Sequence, residues 1–134
     1  MRKSIQLFVL LGAITIAISC QQTKDAVFDK MLVDAANEVN KNCPMVVDKE
    51  TRLDNAVALP NKCFQYNYTL VNLVKDSLDT SYIKEFLTPK AINALKTNPS
   101  LKPFRDNKVT MCYMYKDKND QYVCSIKVKP EDYK

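Results

Sequence analysis

The only glycine in the 134-residue chain is Gly12, inside an apolar run near the N-terminus. This shortage removes whole classes of fold. A domain built from the residues beyond that run cannot form a P-loop or a dinucleotide fingerprint, because both need Gly where backbone approaches phosphate. Histidine is absent altogether, which removes Ser-His and Cys-His nucleophile pairs and the usual zinc sites. Carboxylates, Lys, Arg, Tyr and thiols are the reactive groups that remain. No catalytic residue, metal or cofactor is expected.

Arg2 and Lys3 open the chain, and Ile5 to Ile18 is apolar apart from Gln6, Gly12 and Thr15. Ala17-Ile18-Ser19-Cys20 closes the run. A basic start, a short apolar segment and small residues before a cut make up a secretory signal. The run is shorter than the roughly 20 residues of a membrane span. Its last four residues resemble the lipobox of bacterial lipoproteins, with Ala17 where that family prefers Leu. The resemblance implies that residues 1–19 are removed and that Cys20, acylated with palmitate among its chains, becomes residue one. Two or three chains hold a protein on a membrane durably, where one does not. Gln21 after Cys20, rather than Asp, resembles the pattern of lipoproteins sent to an outer membrane. The implied location is the cell envelope, with a lipid-anchored domain in the periplasm or at the surface. The anchor would sit in the outer membrane of a cell that has one.

Removing Arg2 and Lys3 reduces 20 basic residues to 18 against 15 acidic ones, a net charge of +3. The signs are interspersed, as on an ordinary soluble surface, and nothing points to a nucleic-acid partner. Beyond Cys20 the chain holds Cys43, Cys63, Cys112 and Cys124. In an oxidising compartment four cysteines in a small domain point to two disulfides, with three connectivities open. The alternative is that some are buried free thiols. None lies in a C-x-x-C pair, which speaks against an oxidoreductase.

Residues 20–24 read as the lipidated Cys and a tether, and 25–134 as a single α+β domain. Phe28, Leu32, Ala35 and Val39, widened by Met31 and Ala36, form a helical stripe capped by Asp25 and stopped by Pro44. Pro44 to Asp48, Leu53 to Leu59 and Cys63 to Asn72 read as strands. Pairing Leu59 with Cys63 sets the small Ala56 and Ala58 across from Tyr66 and Phe64. Asp79-Thr80-Ser81 caps a second helix with Tyr82, Phe86 and Leu87 on its apolar side. Thr88-Pro89 restarts it toward Ile92 and Leu95. Asn98 to Asn107 reads as a connecting loop. Val109 to Lys116 and Gln121 to Lys129 read as a hairpin with Cys112 opposite Cys124 and Met114 opposite Tyr122. That register makes Cys112–Cys124 one bridge and leaves Cys43–Cys63 as the other. The expected fold is α-β-β-(β)-α-β-β, one antiparallel sheet of four or five strands with helices on one face.

Asn40-Lys41, Pro44, Val47-Asp48 and Thr51-Arg52-Leu53-Asp54, followed by the aromatic strand Phe64 to Leu70, resemble a motif of small uncharacterised bacterial exported proteins. The resemblance spans residues 35 to 72 and implies no activity. Asp48, Arg52 and Asp54 are candidate recognition residues in which Arg52 grips a carboxylate or phosphate. Alternatively Asp48 and Thr51 make turn hydrogen bonds while Arg52 pairs with an aspartate. Tyr113 and Tyr115, with Lys127 and Lys129, could form an exposed sheet face for a protein or polysaccharide partner. Ordinary strand propensity explains the tyrosines equally well. A lipid-anchored envelope binding module is the leading reading. A secreted inhibitor of a protein such as a hydrolase comes next, and a carboxylate-based enzyme last.

Overall fold

The computed structural model describes residues 19–134. Arg2, Lys3 and the apolar run through Ile18 lie outside the described residues. Helix α1 spans Ser19–Asn40, so residues 21–24, expected as a tether, continue the helix. Phe28, Leu32 and Ala36 recur every fourth residue and are buried, with Ala35 and Val39 packed beside them. This stripe crosses strand β2, Thr51–Leu59, where the inward residues Ala56 and Ala58 are small enough to let the helix approach.

The sheet has five strands in sequence order: β1 Met45–Val46, β2, β3 Cys63–Leu70, β4 Thr110–Asp117 and β5 Tyr122–Val128. The β2–β3 hairpin has the expected register, with Leu59 opposite Cys63, Ala58 opposite Phe64 and Ala56 opposite Tyr66. One pairing departs from the antiparallel expectation: β3 and β4 run parallel. A parallel pair needs a long crossover, and residues 71–109 supply it through α2 (Thr80–Thr97) and α3 (Lys102–Asp106). The stretch read as a loop from Asn98 is thus partly helical. Pro99 and Pro103 sit in first turns, where a missing N–H costs nothing. Helix α2 also runs unbroken through Pro89 rather than restarting there.

Both main helices pack on one face of the sheet, against Phe64, Met111, Ile126 and Val128. Phe64 is fully buried, with edge contacts to Tyr66 and Phe104 at 5.2 and 5.1 Å. With no glycine beyond Gly12, turns that need positive φ use other residues: Asn61, Lys62, Lys108 and Asp120 have φ of 54 to 63°. Asn and Asp tolerate that region best, and lysine does so at a cost.

The β4–β5 register overturns the expected Cys112–Cys124 bridge. Cys112 faces Lys127, Met114 faces Ser125, and Cys124 faces Tyr115. A bulge between Tyr115 and Lys116 and a turn closed by Asp117 and Gln121 shift the pairing by an odd number of residues. An odd shift moves a side chain to the other face. Cys124 is therefore buried under the helices while Cys112 points to the open side. Cys43–Cys63 fails as well. Cys43 precedes Met45, which is aligned through Leu53 with Tyr68. Tyr68 lies five residues along β3 from Cys63, about 17 Å at ~3.4 Å per residue.

Candidate functional site

Alternation along β3 and β4 sorts the sheet into two faces. Tyr66, Tyr68, Tyr113 and Tyr115 point toward the helices, whereas Cys63, Gln65, Asn67, Thr69, Cys112 and Met114 point away. The suggested face joining Tyr113 and Tyr115 to Lys127 and Lys129 does not form, because Lys127 pairs with Cys112 on the open face while the tyrosines turn to the other. The parallel register instead stacks the tyrosines in two tiers, Tyr66 on Tyr113 at 5.8 Å and Tyr68 on Tyr115 at 5.1 Å. Burial pushes all four phenols up, Tyr115 to about 12, with the Cys124 thiol and the Asp48 carboxylate adding to its shift.

Helix α1 covers β2 and α2 covers β5. Between α2 and the β1–β2 turn lies a groove of about 630 Å³, within the size range of ligand sites. Tyr68, Tyr115 and Leu70 floor it, and Leu73, Leu78 and Ile83 line one end. Its mouth is apolar: Val47, Tyr82 and Phe86 are 52, 64 and 50% exposed. Tyr82 stacks on Phe86 at 6.1 Å, and the Lys90 ammonium sits 3.6 Å from the Phe86 ring centre. Asp48, Glu50 and Asp79 lie on the rim, so acids outnumber Lys90 there.

The exposure of Tyr82 and Phe86 corrects the expectation that they form the core side of α2. The inward row is Ile83, Leu87, Ala91 and Leu95, four residues apart, and that spacing was the available signal. Asp79 caps the helix as expected, accepting from the Ser81 and Tyr82 amides at 3.0 Å. Leu73 and Leu78, in the crossover, carried no sequence signal for this site.

Arg52 and Asp54 come together, but Asp48 does not join them. Asp48 lines the groove and accepts from the Glu50 amide at 2.8 Å, a turn bond that holds its pKa below the usual carboxylate value. Arg52 lies on the open face, its Nε donating to Asp54 Oδ1 at 2.7 Å, while Thr69 Oγ1 donates to Asp54 Oδ2. This is the arrangement of the turn alternative. The open face continues as a polar chain, Gln65 donating to Asn67 and Asn67 to Asn55.

Among the described residues no helix is long and apolar enough to cross a membrane, and no group of three or more Cys, Asp and Glu is placed to hold a metal. The fold recurs in solved structures. A Pseudomonas aeruginosa protein inferred to be secreted matches with TM-score 0.68 at 11% identity, over 83% of this chain and 96% of its own. The pilotin EpsS of the Vibrio vulnificus type 2 secretion system matches at 0.66 and 9% identity, over 84% and 97%. The pilotin AspS of the Vibrio cholerae type 2 secretion system matches at 0.63 and 11%, over 84% and 98%. No curated protein matches in sequence. A domain family of unknown function, DUF8479, matches residues 26–124, and the chain belongs to it.

Proposed function

We propose that this protein is a lipid-anchored module of the cell envelope that holds a short apolar segment of a protein partner in the tyrosine-floored groove. The observation that carries the reading is the mouth of the groove, where Val47, Tyr82 and Phe86 stand half or more exposed beside an acidic rim. A chain with excess positive charge that gathers Asp48, Glu50 and Asp79 there suits a segment with basic residues flanking its apolar anchors. Tyrosine and phenylalanine are favoured anchors at such contacts. Two structures that share the fold are pilotins of type 2 secretion systems, which supports a protein partner in the envelope. Acylation of Cys20 supplies the anchor in this reading. The tight β2–β3 and β4–β5 connections offer no protruding loop of the kind an inhibitor inserts.

Amide chemical-shift mapping tests the groove. The probe is a synthetic Leu- and Phe-containing peptide flanked by lysines. Shifts confined to Tyr68, Tyr115, Leu78 and Ile83, weakened when the flanks are glutamate and lost in a Tyr82→Ser, Phe86→Ser double variant, support the reading. Shifts elsewhere, or a groove that responds to a lysophospholipid and not to the peptide, overturn it. For the anchor, Cys20→Ala should move the protein from the membrane to the soluble fraction.

A further inference from the structure

The four cysteines beyond Cys20 are not equivalent. Cys124 is buried beneath the helices and Cys43 lies at the far end of β3 from Cys63. Cys63 and Cys112 both sit on the open face, with their sulfurs 3.2 Å apart on neighbouring strands. We propose that Cys63 and Cys112 form a disulfide that staples β3 to β4 across the open face when the protein is in an oxidising compartment. The placement gives the bridge a purpose. β3–β4 is the parallel pair of the sheet, slightly weaker per residue than an antiparallel one. It is also the pairing made across the longest separation, the two cysteines standing 49 positions apart. A crosslink over such a loop removes a large part of the freedom of the unfolded chain.

The chemistry is thiol–disulfide exchange with a donor disulfide, R–S–S–R, of the oxidising compartment. The two thiols give up two protons and two electrons, an S–S bond forms between Cys63 and Cys112, and the donor leaves as two R–SH. Burial and the Cys63 contact push the Cys112 thiol up to about 12. It is thus a poor attacking thiolate once folded, which suits a structural bridge rather than a switch.

The test uses the full chain exported with its own leader, quenched in acid, alkylated without reduction and digested for mass spectrometry. The expected product is a Cys63 peptide joined to a Cys112 peptide, two hydrogens lighter than the separate thiols, with Cys43 and Cys124 alkylated. Alkylation of both Cys63 and Cys112, or a bridge from either to another cysteine, overturns the proposal. A second measurement needs no export. Purified protein unfolded, refolded in the presence of glutathione disulfide and freed of it should lose about 10 to 15 °C of melting temperature on reduction. A Cys63→Ser, Cys112→Ser double variant should melt with the reduced wild type and ignore reductant. A reduction-dependent shift that survives in the double variant also overturns it. The groove plays no part in either readout.

Discussion

Replacing Asn40 with alanine isolates a contact that the chain uses in place of a strand. Beyond Leu53, β2 has no β1 neighbour, since β1 pairs only with Arg52 and Leu53. At Ala56 the free edge is met by a side chain: the Ala56 amide donates to Asn40 Oδ1 at 2.7 Å, and Asn40 Nδ2 donates to the Ala56 carbonyl at 2.9 Å. The carboxamide at the end of α1 thus imitates a paired residue and fixes the helix over the sheet. Each bond contributes about 0.5 to 1.5 kcal/mol net, and a partner left buried and unpaired adds to the loss. Asn40→Ala should therefore cost about 2 to 3 kcal/mol, or about 8 to 12 °C in melting temperature for a domain of this size. Urea unfolding followed by circular dichroism gives the value, with an unchanged m showing that the end states are unaltered. Asn40→Asp keeps the acceptor and turns a carboxylate oxygen toward the Ala56 carbonyl. It should cost as much at neutral pH and recover part of the loss below about pH 4, where the protonated acid can donate. A loss under about 0.5 kcal/mol for Asn40→Ala, the level of an ordinary surface change, would refute the strand-mimic account.

Arg52→Ala removes a half-exposed partner from an ion pair and should cost about 0.2 to 1 kcal/mol. Asp54→Ala also strips the buried Thr69 hydroxyl of its acceptor and should cost about 1 to 3 kcal/mol by the same urea assay. Lys108, with φ 57°, follows α3 where glycine is usual, and its neighbour Val109 donates to the Phe104 carbonyl. Lys108→Gly should raise stability by about 0.5 to 1 kcal/mol by calorimetry, and a loss would contradict the reading. The folded state holds phenolic protons of Tyr66, Tyr68, Tyr113 and Tyr115 that the unfolded chain releases above about pH 10. Their contribution is whole below that pH and is lost as pH rises through the folded values, by up to about 1.4 kcal/mol per unit for each phenol. Tyrosinate absorbance should therefore rise together with unfolding. Ionisation of these four in the folded protein at about pH 10 would show that they are not shielded.

Local physics was legible in the sequence, and long-range registry was not. The α1 row of Phe28, Leu32, Ala35, Ala36 and Val39, the Asp79 cap and the Leu59–Cys63 hairpin are decided by residues a few positions apart and agree with the structure. Met31, expected to widen that row, is instead exposed, and Asp25, expected to cap it, lies inside the helix. The β4–β5 register turned on a bulge near Lys116 and on Asp117, whose side chain accepts amides from Lys75, Asn119 and Gln121. Lys75 lies 42 residues away, so no local pattern announces that bond. The groove was half legible: Tyr82 and Phe86 were singled out, but as core. Two aromatics at helical spacing look core-facing until the purely aliphatic row one position later, from Ile83 to Leu95, is weighed against them.

The same comparison explains why the groove lies where it does. The inward face of β3 and β4 is phenylalanine and methionine at one end, Phe64 and Met111, and tyrosine at the other. A helix can close over the first end at no polar cost, and Phe64 and Met111 are sealed there. Tyr68 and Tyr115 are half-buried, and closing over them completely would seal in their hydroxyls, each needing a partner that an aliphatic helix row cannot supply. Helix α2 instead turns Ile83 and Leu87 inward on the β5 side and leaves Tyr82 and Phe86 at the opening. What remains is a surface apolar on its walls with tyrosines on its floor, the character that the proposed peptide segment, with its side chains and backbone carbonyls, would match.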